Sequence, residues 1–108
     1  MSLSDERQIY AINKFRYLIA QSDGNCPITH DTIKTPAYTL CGHVFEFEAL
    51  AQWRYAHENH IRCPFCNYMN PYALIYPTQA FAEYFIKRLI CEYETIRSFE
   101  LPYMKATG

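Results

Sequence analysis

At 108 residues, half of them hydrophobic, with seven Phe and ten Tyr, the chain is expected to form one globular domain with a modest core that needs a staple. A formal net charge of −1 without a basic cluster argues against nucleic acid as the main partner. The charge-free run from Asn67 to Ala82, broken by Pro71 and Pro77, is too short to cross a membrane. Five cysteines, an odd number, behind a polar and charged opening from Met1 to Arg7 point to a reducing compartment, cytoplasmic or nuclear, where thiols stay free for metal.

Taken in order, residues from about Asp5 to Gln21 predict an amphipathic helix. Ser4 is its N-cap, Asp5 and Glu6 sit in the first turn, and Ile9, Ile12, Phe15 and Ile19 share a face with Ala11 and Leu18 beside it. Asp23-Gly24-Asn25 ends it. Cys26 to His30 begins a loop, and Pro36 forbids helix through Thr35. Ala37 to Leu40 reads as a strand, Cys41-Gly42 as the turn and His43 to Phe45 as the return. Glu46 to His57 reads as a helix with Phe47, Leu50, Trp53 and Ala56 at helical spacing, followed by a polar loop in which His57 and His60 are solvated. Tyr72 to Tyr76 is a short extended piece. Thr78 then caps a last helix running to about Phe99, with Phe81, Phe85, Leu89 and Ile96 near one face and Ile86, Ile90 and Tyr93 widening it. Leu101 to Gly108 is expected to fray. Faces this wide need cover, so the two terminal helices should pack on each other or on a second chain as a homodimer.

The chemistry lies between the helices. Cys41-Gly42-His43 followed by Cys63-Pro64-Phe65-Cys66 offers three thiolates and an imidazole, which satisfy one tetrahedral Zn²⁺ and leave no place for water. A closed site is structural. Gly42 permits a tight turn between two ligands, and Pro64 stiffens the loop that aims Cys63 and Cys66 inward. Cys26 and Cys91 have no evident activating neighbour and read as packing or surface thiols.

The ordered series Cys26-Pro27-Ile28-Thr29, Pro36, Cys41-Gly42-His43-Val44-Phe45-Glu46, Ala49-Leu50, Trp53, Cys63-Pro64-Phe65-Cys66 and Leu74-Ile75-Tyr76-Pro77-Thr78 resembles a RING/U-box domain. The resemblance implies a small α+β fold: a short β-hairpin, a central helix and two zinc-braced loops over residues 24–77, flanked by an N-terminal helix in 1–23 and a C-terminal helix and tail in 78–108. A full RING cross-braces two zinc ions. Here the positions of the first site hold Cys26, Thr29, Glu46 and Ala49, so only the second zinc is expected, with Thr29 and Glu46 standing in through hydrogen bonds to loop backbone.

Such domains are implied to be ubiquitin ligases without a nucleophile of their own. They dock a ubiquitin-conjugating enzyme charged with ubiquitin and position its thioester for attack by a substrate lysine. By position, the docking groove would comprise Ile28, Trp53, Pro64 and Phe65, and the cationic position after the last ligand is Asn67, which carries no charge and implies weak activation. The SP-RING domains of SUMO ligases share the surviving zinc site and are the second reading; a zinc-braced interaction module without activity is the third. A compact ligase-like module of this kind could also be a bacterial effector working in a host cytosol.

Overall fold

The elements run α1 (Leu3–Ala20), β1 (Pro36–Tyr38), β2 (Val44–Glu46), α2 (Phe47–Ala56) and α3 (Gln79–Ile96) in a computed structural model that describes residues 3–96. This is the α+β class expected. β1 and β2 form an antiparallel hairpin that pairs Pro36 with Glu46, Ala37 with Phe45 and Tyr38 with Val44. Tyr76 joins its edge through two backbone bonds, Tyr38 N to Tyr76 O at 2.8 Å and Tyr76 N to Tyr38 O at 2.9 Å. The segment from Tyr72 to Tyr76 therefore meets the sheet at one bridge rather than as an extended piece. Pro71 and Pro77, which lack an N–H, flank it and limit further pairing.

α1 and α3 cover each other within one chain. Ala11, Ile12 and Phe15 share a buried cluster with Ala82, Ile86, Leu89 and Ile90, and Leu40 and Tyr76 reach into it from the hairpin side. Both helices are rotated from the stripes expected of them: Ile9 is 49% and Phe81 47% exposed, while Ala11 and Ala82 are fully buried. Small residues at a crossing let two helix axes approach, and larger neighbours then flank the contact. Arg16 fixes the pair from outside, its Nε donating to Glu83 Oε2 at 3.0 Å and its Nη2 to Oε1 at 2.7 Å.

The helix ends follow local chemistry. Thr78 caps α3, its Oγ1 accepting from Phe81 N at 3.0 Å. Ser4 lies inside α1, not at its cap, because the helix begins at Leu3. α1 closes with two tightened bonds, Gln21 N to Leu18 O and Ser22 N to Ile19 O, both 3.1 Å, and Asp23 Oδ1 then accepts from Asn25 N at 2.9 Å. The expected end of the last helix near Phe99 and the tail from Leu101 lie outside the described residues.

A second buried cluster, Cys26, Ala37, Cys41, Phe45, Leu50, Cys63 and Leu74, fills the space under the hairpin and α2. Of the face expected on α2 only Leu50 is buried; Trp53 is half-buried, Phe47 38% exposed and Ala56 exposed. A helix this short leans on a small core along a narrow line. Among the described residues no helix is long and apolar enough to cross a membrane.

Candidate metal centre

Two loops of the middle region follow the same path. In the first, Cys26 N donates to Asp31 O at 2.8 Å and His30 N to Cys26 O at 2.7 Å. In the second, Cys63 N donates to Tyr68 O at 2.9 Å and Asn67 N to Cys63 O at 2.7 Å. Each is closed by an antiparallel bridge, Asn25 to Thr32 and Arg62 to Met69. Each also turns through a left-handed residue, His30 at φ 66° and Asn67 at φ 64°, both types that tolerate this region. The Cys-Pro pair at the start of each loop has the same reason in both. Proline fixes φ and has no N–H, so the bonds that close the loop come from the cysteine and the turn residue.

The second loop delivers Cys63 and Cys66 to the hairpin turn that carries Cys41 and His43. One ligand atom from each of the four lies within 4.8 Å of all the others, the compactness a single tetrahedral ion requires. His43 Nδ1 is 3.5 Å from both Cys41 Sγ and Cys63 Sγ, so this nitrogen faces the thiols. Cys41 and Cys63 are buried, His43 half-buried and Cys66 exposed. Thiols this close cannot all ionise in the protein alone. Cys66 is held far down by hydrogen bonds from the Cys41 and Cys63 side chains, and the same grouping with Cys63 and Cys66, together with burial, pushes Cys41 far up. Burial pushes the His43 imidazole down, but hydrogen bonds and charge from Cys63 and Cys66 outweigh it and hold it up at about 9. A dication at the centre of this set replaces that competition with four bonds.

Gly42 matters for more than the turn. It sits at φ 87°, and a Cβ there would lie 2.7 Å from Leu18 Cβ on α1. The terminal helix thus presses on the backbone between two ligands, a contact that no local pattern in the sequence encodes.

The positions of a first zinc site hold hydrogen-bonding groups. Glu46 Oε1 accepts from Thr35 N at 2.6 Å and Lys34 N at 3.2 Å, and Thr29 Oγ1 accepts from Asp31 N at 3.2 Å. Burial raises the Cys26 thiol, yet backbone N–H groups of Glu46, Thr29 and Ile28, with the Thr29 side chain, bring it below its ordinary value. Ala49 is half-buried against the second core and offers no donor.

The residues expected to dock a partner differ in exposure. Phe65 is 64% exposed, its ring tilted over His43 with centroids 4.6 Å apart. Pro64 is half-buried. Ile28 is not the free loop side chain expected: it is half-buried and packs on the second core, as Trp53 does. The reason is the first loop itself, which folds back on Cys26 and carries Ile28 inward. Trp53 also stacks on His57 at 4.2 Å, and His57 Nδ1 lies 2.8 Å from Trp53 O, so this histidine, exposed as expected, also closes the end of α2. Asn67 is exposed, and Arg62 Nη1 donates to its carbonyl at 3.3 Å. Two residues that sequence reasoning passed over, Thr39 and Asn70, are buried beside the ligand loops. Asn70, standing before Pro71, reads locally as a turn residue.

Residues 26–64 match the family model described as a RING-type zinc-finger. No curated protein matches the chain. The match stops short of Cys66, which enters the quartet on geometry.

Proposed function

From the match of residues 26–64 to a RING-type zinc-finger model, we propose that the chain is a ubiquitin ligase module that docks a charged ubiquitin-conjugating enzyme. In this reading one Zn²⁺, held by Cys41, His43, Cys63 and Cys66, braces the second loop against the hairpin turn. The ion is structural and takes no part in the transfer. The chain supplies a rigid surface that holds the ubiquitin thioester where a substrate lysine reaches it, which is catalysis by proximity and orientation.

The exposure of Phe65 carries this reading. A large aromatic side chain, 64% exposed, sits on a loop fixed by two ligands, with the half-buried Pro64 next to it in sequence. Apolar groups held rigidly lose little entropy on binding. Ile28 and Trp53 complete the proposed surface from the first loop and α2. A zinc-braced interaction module without transfer activity is the competing reading, favoured by one feature: Asn67 puts no cation after the last of the four quartet residues. Either role belongs in a reducing compartment, where the five cysteines stay available to metal.

The test is discharge of ubiquitin from a panel of charged conjugating enzymes to free lysine. The wild-type chain should accelerate discharge from at least one of them. Phe65→Ala should remove most of that acceleration at unchanged melting temperature, because so exposed a ring contributes little to the fold. Ile28→Ala should lose activity and some stability together, since its side chain also packs on the core. No acceleration with any enzyme, from a protein that holds its zinc, selects the interaction module.

A further inference from the structure

Among the described residues two polar side chains are buried with no exposure, Thr39 and Asn70. Both converge on one member of the quartet. Thr39 Oγ1 lies 3.0 Å from Cys41 Sγ. The same oxygen accepts from His43 N at 3.1 Å, and Thr39 N donates to His43 O at 3.0 Å, so its backbone and side chain span the turn that carries both ligands. The hydroxyl proton then has two acceptors in reach, Cys41 Sγ and, farther off at 3.4 Å, His43 O.

Asn70 approaches from the other side. Its Oδ1 accepts from Leu40 N at 2.8 Å, while its Nδ2 donates to Ile61 O at 3.3 Å and to Tyr68 O at 3.2 Å. Those carbonyls lie just before and just after the ligand loop, and Leu40 adjoins Cys41. One amide therefore ties the hairpin turn to both ends of the second loop, with Nδ2 4.0 Å from Cys41 Sγ. Burying an amide and a hydroxyl is unfavourable unless their bonds are made, and an apolar residue would fill either space without that demand.

Resting on the metal-site reading above but independent of any ligase activity, we infer that Thr39 and Asn70 are positioning residues of the metal centre. Thr39 donates to the Cys41 sulfur and fixes its direction. Asn70 holds the hairpin turn and the second loop in register, so the quartet stands assembled for the ion.

The test uses the full chain loaded with Co²⁺, whose thiolate charge-transfer band reports on the ligand sulfurs, and with Zn²⁺ in competition with a chromophoric chelator. Thr39→Val keeps the shape and removes the donor. It should move the Co²⁺ band to lower energy and weaken Zn²⁺ binding by about 10–100-fold, the usual range for loss of an outer-shell partner. Thr39→Ser should restore both. Asn70→Asp keeps the acceptor for Leu40 but loses both donations, and should weaken Zn²⁺ binding by a similar factor. A Thr39→Val protein with an unchanged band and unchanged affinity overturns the inference. If that variant does not fold, Asn70→Asp decides: wild-type Zn²⁺ affinity there overturns it equally. A wild-type chain that takes up neither ion defeats the metal-site reading itself, a result distinct from variants that bind as well as wild type.

Discussion

Residues 25–32 and 62–69 trace one backbone design with two ways of holding it. Both begin at Cys-Pro, close with the same pair of backbone bonds and turn through a left-handed residue, His30 or Asn67. In the second loop Cys63 and Cys66 point to Cys41 and His43. In the first, Thr29 stands where Cys66 would, and the Thr29 hydroxyl and the Glu46 carboxylate accept from the backbone of Asp31, Lys34 and Thr35. The loop path, then, is common to a loop that carries two members of the Cys/His quartet and to one that does not. In the reading proposed above, what differs is how the loop is anchored: by several hydrogen bonds worth about 1 kcal/mol each, or by one ion whose binding would contribute on the order of 10 kcal/mol to folding.

The largest expected effect separates the two anchors. Cys63→Ala should unfold the middle region, since losing the ion removes about as much free energy as a domain of this size holds in reserve. Cys26→Ala, at the matching position of the first loop, removes one small buried side chain and should cost about 1–3 kcal/mol, leaving a cooperative transition. Thermal unfolding followed by circular dichroism distinguishes them, and equal losses would erase the distinction between the loops.

Gly42→Ala comes next. Strain at φ 87° costs about 1–3 kcal/mol, and overpacking against Leu18 adds about 1–3 kcal/mol more. Adding Leu18→Gly, the change that removes the Leu18 Cβ at 2.7 Å, should relieve the second part and not the first. Urea titrations of both single variants and the double variant would resolve this after the helix cost of glycine, about 1 kcal/mol, is subtracted. A wild-type midpoint for Gly42→Ala would mean that α1 does not press on the ligand turn.

In the first loop, Glu46→Ala should cost about 1.5–3 kcal/mol by removing a charged acceptor from two backbone donors, with Zn²⁺ uptake unchanged. Glu46→Gln, which keeps one acceptor oxygen, should cost less. Loss of zinc in either variant would mean that the two loops share an anchor.

A last effect, graded rather than all-or-none, is in pH. His43 sits at about 9 because Cys63 and Cys66 favour its charged form over the opposing effect of burial. To coordinate, it must lose its proton. Zn²⁺ affinity should therefore fall as pH is lowered below about 9, by as much as tenfold per unit for each proton displaced, about 1.4 kcal/mol, and the raised Cys41 thiol adds a displaced proton of its own. Calorimetry in buffers of different ionisation enthalpy counts those protons. An affinity that does not vary between pH 6 and pH 8 would contradict the arrangement at His43.

The gathering of Cys41, His43, Cys63 and Cys66 was legible because soft donors at this spacing have few other uses, and the Thr78 cap because one side chain and one N–H decide it. The rotation of the terminal helices was not. Periodicity marks a broad apolar side on α3, but the choice between Phe81 and Ala82 depends on how closely α1 approaches, and alanine carries little hydrophobic signal. The partial burial of Ile28 was not legible for a related reason: a loop position says nothing about whether the loop folds back on its own cysteine. Thr39, Asn70 and the contact of Leu18 with Gly42 depend on segments far apart in sequence, which no window along the chain can join.

Elemental analysis of the purified chain tests the comparison most directly. One zinc per chain should be found in wild type, one in Cys26→Ala and none in Cys63→Ala. Two zincs in wild type, or the loss of zinc on Cys26→Ala, would contradict a first loop held by hydrogen bonds and a second held by the ion.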